Sequence, residues 1–261
     1  MIVIKNKVAI RKMEDAGHQL ALLFQELASQ VVVGVSTLAL EEWIVAALKD
    51  KGLQSRTKGY MGYRHASCIS INDELVHGIP NKNRILVDGD LVKIDICASL
   101  KDYCADMARS FFVGKPSAEA QRLVSVAQQA LENAIAAARV GNRLGDVSYA
   151  VQSEVERHGF GVVRDFAGHG IGRHMHEDPE ILNYGEPGQG AVLRAGMTLA
   201  LEPMITQRDP SVMVTDDGWT VKTLDGGLTA HVEDTVLVTD AEPLVLTRLS
   251  NENRLNRVPM L

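Results

Sequence analysis

Residues 89–95 read Gly-Asp-Leu-Val-Lys-Ile-Asp, and residues 196–202 read Gly-Met-Thr-Leu-Ala-Leu-Glu. Each stretch opens with a glycine and ends in a carboxylate at its seventh position. Apolar residues alternate in both, as expected for a β-strand with one buried face. We interpret the two stretches as equivalent strands of an internally duplicated chain.

The offset in numbering between these two strands recurs upstream of them. Gly34 and Gly141 are separated by the same interval as Gly89 and Gly196, and each opens a helical pattern. The two patterns end at Gly52 and Gly159, which again keep that interval. A glycine directly after such a pattern is a helix-stop signal. The repeated spacing predicts an equivalent helix in each half of the chain.

Two further helices and one insertion complete the predicted α+β fold. Apolar residues at helical spacing between Ile10 and Leu27 predict a packed helix rather than a signal peptide. Another helix, from about residue 117 to 138, opens the second half. Turn signals at Asp209-Pro210 and at residues 225–227 predict an added hairpin or loop in that half.

The predicted organisation is a single catalytic domain over residues 1–261. It consists of pseudo-symmetric halves at approximately 7–115 and 116–240, followed by a tail at 241–261. Pockets favour junctions of this kind, so we expect the functional site where the halves meet.

Composition narrows the class of protein. The chain has 261 residues, 46% of them hydrophobic, and a formal net charge of −6. That charge argues against nucleic acid as a required ligand, and no stretch approaches the ~20 apolar residues of a membrane span. Three cysteines whose spacing matches no zinc module are typical of reduced thiols in a cytoplasmic protein. The composition therefore predicts a cytoplasmic protein without a membrane partner.

Four carboxylates project from strands whose opposite faces are apolar: Asp95, Asp106, Glu202 and Glu233. One such residue alone is usually a solvent-facing side chain. Four brought together by a duplication would repel one another unless they were protonated or paired with cations. The pattern therefore favours a site for two divalent metal ions.

Histidines support the same interpretation. His169, His174 and His176 lie close together in a glycine-rich segment, and His77 lies in a loop after a predicted strand. Any one of these histidines, taken alone, is explained equally well as a structural or solvent-exposed residue. Oxygen ligands with one imidazole suit Mn(II), Fe(II), Co(II) or Zn(II), and two such ions generate a hydroxide nucleophile for hydrolysis. Because the chain is acidic and lacks a glycine-rich phosphate loop, an amide is favoured over a phosphate ester.

Between about Lys7 and Thr239 the sequence resembles the methionine aminopeptidases of the short type I form, which have the creatinase-like "pita-bread" metallopeptidase fold. That fold implies an internally duplicated, curved antiparallel sheet covered by helices. The matching segments are residues 59–63, 68–72, 77–80 and 93–95, Asp106, residues 168–172, 176–177, 202–204 and 232–235.

The resemblance implies a role for each matching residue. The metal ligands would be Asp95, Asp106, His169, Glu202 and Glu233, with Asp106 and Glu233 bridging both ions. A metal-bridged water would be the nucleophile, with Glu202 as general base. His176 would support the scissile carbonyl oxygen and His77 the substrate backbone and departing amine. The side chain of methionine would enter a pocket formed by Tyr60, Tyr63, Cys68, Met175 and Trp219.

Four positions depart from the pattern of the family: Thr57, Met61, His174 and Met175. None is an implied ligand, so we expect these changes, at the mouth and wall of the pocket, to affect substrate range rather than the hydrolytic chemistry. The resemblance implies a monomer that acts on peptide and nascent-chain N-termini, including those at the ribosome. A proline-directed peptidase and a non-enzymatic binding protein of the same fold are the alternatives.

Overall fold

A computed structural model describes residues 1–249, in which four α-helices lie against an antiparallel sheet. Residues 250–261, which include most of the predicted tail, lie outside the described part of the chain. The helices are α1 (Lys7–Leu27), α2 (Thr37–Asp50), α3 (Ala118–Ala137) and α4 (Leu144–Arg157), with a short 3₁₀ helix at Tyr60–Gly62.

The strands are short except for β4 and β5, which have ten residues each. In chain order they are β1 (Gln54–Ser55), β2 (Cys68–Ile71), β3 (Glu74–Val76), β4 (Leu91–Leu100), β5 (Tyr103–Phe112), β6 (Gly161–Val162), β7 (Ala167–Gly170), β8 (Glu177–Leu182), β9 (Thr198–Leu201), β10 (Met204–Thr206), β11 (Val212–Val214), β12 (Val221–Thr223), β13 (Thr229–His231), β14 (Glu233–Leu237) and β15 (Leu244–Val245).

All four predicted helices form, and their ends follow from local chemistry. The side chains of Asn6, Ser36 and Ser117 accept hydrogen bonds from backbone N–H groups in the first turns of α1, α2 and α3. Helices α2 and α4 have the same length and keep the predicted offset between the halves at both ends. Gly52 and Gly159, just past them, have φ of 69° and 76°, which favours glycine.

The main sheet joins both halves of the chain. Its order is β1-β4-β5-β14-β9-β7-β8, with β2 paired to β4 and β15 paired to β14. Every one of these pairings is antiparallel. Strands β5 and β14 meet at the centre, so the predicted junction of the two halves lies there.

Helices cover one face of this sheet. Val92, Ile94 and Ile96 of β4 pack in one apolar cluster with residues of α1 and α2, and Leu199 and Leu201 of β9 pack in another with residues of α3 and α4. The predicted alternation along these strands is confirmed. Side chains at the intervening positions point to the opposite face.

The predicted insertion in the second half is a hairpin. Strands β11 and β12 pair with each other, and β12 also pairs with β3 of the first half. Asp217 in the turn accepts hydrogen bonds from the backbone N–H groups of Trp219 and Thr220, both at 2.8 Å. The hairpin thereby holds Trp219 against the first half of the chain. Within residues 1–249, no helix combines the length and apolarity needed to cross a membrane.

Candidate metal and substrate site

Five neighbouring strands each bring one predicted ligand to the uncovered side of the sheet. In sheet order, Asp95 lies on β4, Asp106 on β5, Glu233 at the start of β14, Glu202 just beyond the end of β9, and His169 on β7. Residues far apart in the chain therefore become neighbours. Glu202 differs from expectation in one respect: it was predicted within a strand, but β9 ends one residue earlier, at Leu201.

The ring of His169 is oriented by the backbone. Its Nδ1 lies 2.9 Å from the carbonyl oxygen of Gly170, and since a carbonyl only accepts, Nδ1 carries the hydrogen. Nε2 then presents its lone pair to the cavity, 3.6 Å from Oε1 of Glu202 and 3.9 Å from Oδ2 of Asp106. A lone pair that faces two carboxylates is an arrangement for binding a cation.

Polar contacts below the site fix the central carboxylates. The backbone N–H of Asp106 donates to Oγ1 of Thr235, whose hydroxyl donates back to the carbonyl of Asp106, both at 2.9 Å. Asp234, next to Glu233, is fully buried and forms ion pairs with Arg109 at 2.7 Å and Arg248 at 2.6 Å. Such contacts hold ligating side chains in place.

The four carboxylates have strongly perturbed acidities. Burial raises the pKa of Asp106 to about 7, aided by the charge of Glu202, and raises the pKa of Glu202 to about 8. Burial and the charge of Asp106 also raise the pKa of Asp95 and Glu233 well above their usual range. Conversely, burial lowers the pKa of His169 to about 4. These shifts mark a cluster with more negative charge than it can hold without protons or cations.

The donors at this site fit a divalent ion. Ligating atoms of Asp106, His169 and Glu233 lie within 4.8 Å of one another, and so do those of Glu202, His231 and Glu233. Oε1 of Glu233 is buried without a hydrogen-bond partner among the described residues. Carboxylate oxygens and imidazole nitrogens at this spacing suit Mn(II), Fe(II), Co(II) or Zn(II).

All of the predicted site residues line one cavity of about 300 Å³. They are Tyr60, Tyr63, Cys68, His77, Asp95, Asp106, His169, Met175, His176, Glu202, Trp219 and Glu233. Thr57 and Met61 line it as well. His174 does not, contrary to expectation: its side chain is exposed, while its backbone bonds to Gly172 and Glu177 turn the loop.

Aromatic rings form the wall opposite the carboxylates. The hydroxyl of Tyr63 lies 3.1 Å from the carbonyl of Ser67 and 3.0 Å from that of Gly78, which fixes its ring edge-on to Trp219 at 5.0 Å. His77, with φ of 60°, stands edge-on to Phe166 at 5.7 Å and to Trp219 at 6.4 Å. The wall is therefore rigid and largely apolar.

The sequence interpretation assigned no role to His231, Phe166 or Met204, which also line the cavity. His231 lies two positions before Glu233, so strand alternation would have placed the two on one side of the chain. Phe166 and Met204 carry no comparable signal, because nothing in the local pattern separates a pocket wall from ordinary core.

Comparison with known proteins agrees with this site. The model of metallopeptidase family M24 matches residues 11–240. Methionine aminopeptidase of Clostridium acetobutylicum is 42% identical over 247 residues, which cover 95% of this chain and 99% of that protein. The solved structure of methionine aminopeptidase from Thermotoga maritima is 42% identical, with a TM-score of 0.94, and covers 95% of this chain and 100% of its own.

One more distant solved structure is similar to this chain in fold. Prolidase from Pyrococcus furiosus is 23% identical, with a TM-score of 0.77, and the match covers 95% of this chain and 66% of the prolidase. Together with the nearer relatives it confirms the predicted pita-bread fold. The chain therefore belongs to metallopeptidase family M24 and, within it, to the methionine aminopeptidases.

Proposed function

We propose that the chain removes the N-terminal methionine from peptides and nascent proteins whose second residue is small. The observation that carries the proposal is a single cavity with five potential metal ligands on its floor and an apolar, aromatic wall facing them. We place the scissile bond at the floor and the preceding side chain at the wall of this one cavity. The domain limits of 1–261 and a monomeric state belong to this proposal.

The metal centre would consist of two divalent ions, Co, Mn, Fe or Zn. We assign Asp106 and Glu233 to both ions, Asp95 to one, and His169 and Glu202 to the other. Bound there, the ions would supply Lewis acidity and lower the pKa of a water molecule. Glu202 would accept the proton of that water on a carboxylate oxygen, because its side chain is buried beside the reaction site.

His176 would stabilise the substrate oxygen. Its Nδ1 lies 2.9 Å from the hydroxyl of Tyr60. If that hydroxyl donates, Nε2 of His176 carries the hydrogen and can donate to the scissile carbonyl. His77 is held between Phe166 and Trp219, where it would orient the substrate backbone.

The substrate side chain would lie against Tyr63, Cys68 and Trp219. Burial raises the pKa of the Cys68 thiol well above its usual range, so the thiol is neutral. A neutral sulfur and aromatic edges form a polarizable slot that suits a thioether.

Peptide cleavage across a metal series tests the function. We expect Met-Ala-Ser to be cleaved at least about 100-fold more efficiently than Leu-Ala-Ser or an Xaa-Pro peptide, since the slot distinguishes side chains by shape. Each of Mn(II), Fe(II), Co(II) and Zn(II) is added to chelated, desalted protein. Preference for the Xaa-Pro peptide would support the proline-directed alternative, and full cleavage in excess chelator would exclude a metal centre.

Removing the indole of Trp219 should weaken substrate binding more than turnover. Trp219→Ala is expected to raise KM for Met-Ala-Ser by about 10- to 50-fold and to lower kcat less, because the ring contacts the substrate rather than the reacting atoms. Steady-state kinetics measure both constants. Met213→Ala, an exposed position on the same hairpin, should leave them unchanged; an unaltered KM in Trp219→Ala would remove this residue from the pocket.

Metal-free protein should lose stability as the pH rises. The folded pKa values of Asp106 and Glu202, about 7 and about 8, exceed the ordinary values near 4. Stability from these groups is therefore complete below about pH 4, declines as the pH rises from there toward 7 and 8, and is fully lost above those values. We expect Tm in chelator to fall by at least about 5 °C between pH 6 and pH 8.5.

Added metal should reverse most of that loss, because cations replace the protons. At 100 times Kd, one ion adds about 2.7 kcal/mol, or roughly 5 to 10 °C. Thermal unfolding at both pH values, with chelator and with Co(II), measures the effect. A Tm in chelator that is equal or higher at pH 8.5 would contradict the repulsion assigned to the carboxylates.

A further inference from the structure

His231 is a buried histidine for which the five-ligand arrangement has no use. It ends β13 and is only 1% exposed. Its side chain lines the same cavity as Glu202 and Glu233. Its Nε2 lies 3.4 Å from Oε2 of Glu202.

Neither ring nitrogen of His231 has a hydrogen-bond partner among residues 1–249. Buried polar atoms are almost always paired, so a nitrogen pair without partners calls for an explanation. Oε1 of Glu233 is the other buried side-chain atom in the described chain that lacks a partner. The unpaired atoms belong to two residues that both line the cavity containing the carboxylates.

A cation would satisfy one ring nitrogen of His231 and Oε1 of Glu233 together. Ligating atoms of Glu202, His231 and Glu233 lie within 4.8 Å of one another, and this trio shares Glu233 with the trio of Asp106, His169 and Glu233. Glu202 faces both histidines, with Oε1 toward His169 and Oε2 toward His231. The cavity floor thus offers one imidazole on each side of the carboxylates.

We propose that His231 is a sixth ligand of the metal centre and binds an ion jointly with Glu202 and Glu233. The inference rests on the metal centre proposed above and adds one imidazole to it. Imidazole favours Zn(II) and Fe(II) over Mn(II), which prefers oxygen ligands. His231 would therefore shift the preference of the centre toward Zn(II).

Proton NMR of the Co(II)-loaded protein tests this assignment. A histidine bound to Co(II) gives a strongly shifted, exchangeable imidazole N–H signal, so the unmodified chain should show two, from His169 and His231. His231→Gln keeps a hydrogen-bonding side chain and should show one. His18→Gln, an exposed position on α1, is the matched control and should show two.

Metal competition provides a second measurement. In His231→Gln we expect the ratio of Zn(II) to Mn(II) affinity, from calorimetric titration of chelated protein, to fall by at least about 10-fold. The ratio in His18→Gln should stay at the wild-type value. An unchanged ratio in His231→Gln would oppose ligation by His231.

The outcomes separate this inference from the function itself. If the unmodified chain gives a single shifted signal and His231→Gln keeps it, His231 is not a ligand. The five-ligand centre would then stand, with His231 as a hydrogen-bond partner of Glu202. No shifted signal in unmodified protein would overturn the metal centre as a whole. The number of shifted imidazole N–H signals in the unmodified chain already distinguishes one histidine ligand from two. The test therefore remains valid even if His231→Gln does not fold.

Discussion

Replacing Glu202 by glutamine is expected to lower kcat for Met-Ala-Ser by at least about 1000-fold, because general-base catalysis and one ligand charge are lost together. Glutamine has nearly the same shape, so the cavity should keep its form. Its amide cannot accept a proton, however, and it binds metal less well than a carboxylate. Glu202 is the residue whose oxygens face both His169 and His231.

The experiment must separate lost chemistry from lost metal. We would measure kcat at saturating Co(II) or Mn(II), with metal content determined on the same sample. Glu186→Gln, an exposed loop position, removes the same charge far from the floor of the cavity and should keep wild-type kcat. A Glu202→Gln protein that retains more than about one tenth of wild-type kcat would contradict the role of Glu202 as the general base.

Much of the fold could be predicted because two local signals agree. The constant offset between the two halves predicted equivalent helices, and α2 and α4 keep it at both ends. Strand alternation identified the apolar face of β4, which packs against α1 and α2. Alternation depends on neighbours in sequence and the offset on a repeat within the chain, so both are readable without a structure.

The order of strands could not be derived in this way. Asp106 and Glu233 become neighbours because β14 inserts between β5 and β9, a pairing between distant segments that no local pattern specifies. The resemblance to known metallopeptidases supplied that information instead. Two local inferences were incomplete: His174 lies in the predicted histidine cluster but does not line the cavity, and His231 received no role although it does.

The structure gives a physical reason for the glycines on either side of His169. A Cβ at Gly168 would lie 2.4 Å from the carbonyl oxygen of Ala200, and one at Gly170 would lie 2.1 Å from that of Asp178. Both are backbone atoms of the strands that flank β7, so no side chain can move aside. The close approach places His169 directly across from Ala200, two positions before Glu202.

Gly168→Ala is therefore expected to have a large effect on stability, although Gly168 is not a ligand. Its methyl group must push β7 away from β9, which costs about 3 kcal/mol or more and lowers Tm by roughly 6 to 12 °C. Because the same shift separates His169 from Glu202, we also expect metal affinity to fall at least about 10-fold. Thermal unfolding in chelator measures the first effect, and calorimetric titration with Co(II) measures the second.

Gly185→Ala is the matched control, because its added methyl group would meet no backbone atom closer than Cα of Gly145, at 3.9 Å. The nearest atom there is Cβ of Ser148, at 3.2 Å, and Gly185 lies outside β7 and β9. Its Tm should stay within about 3 °C of wild type, since Ser148 has to move by only a few tenths of an ångström. If Gly168→Ala behaved like this control in both measurements, strand packing would not be what holds His169 beside Glu202. A fall in Tm without a fall in metal affinity would show that the ligands adjust independently of β7.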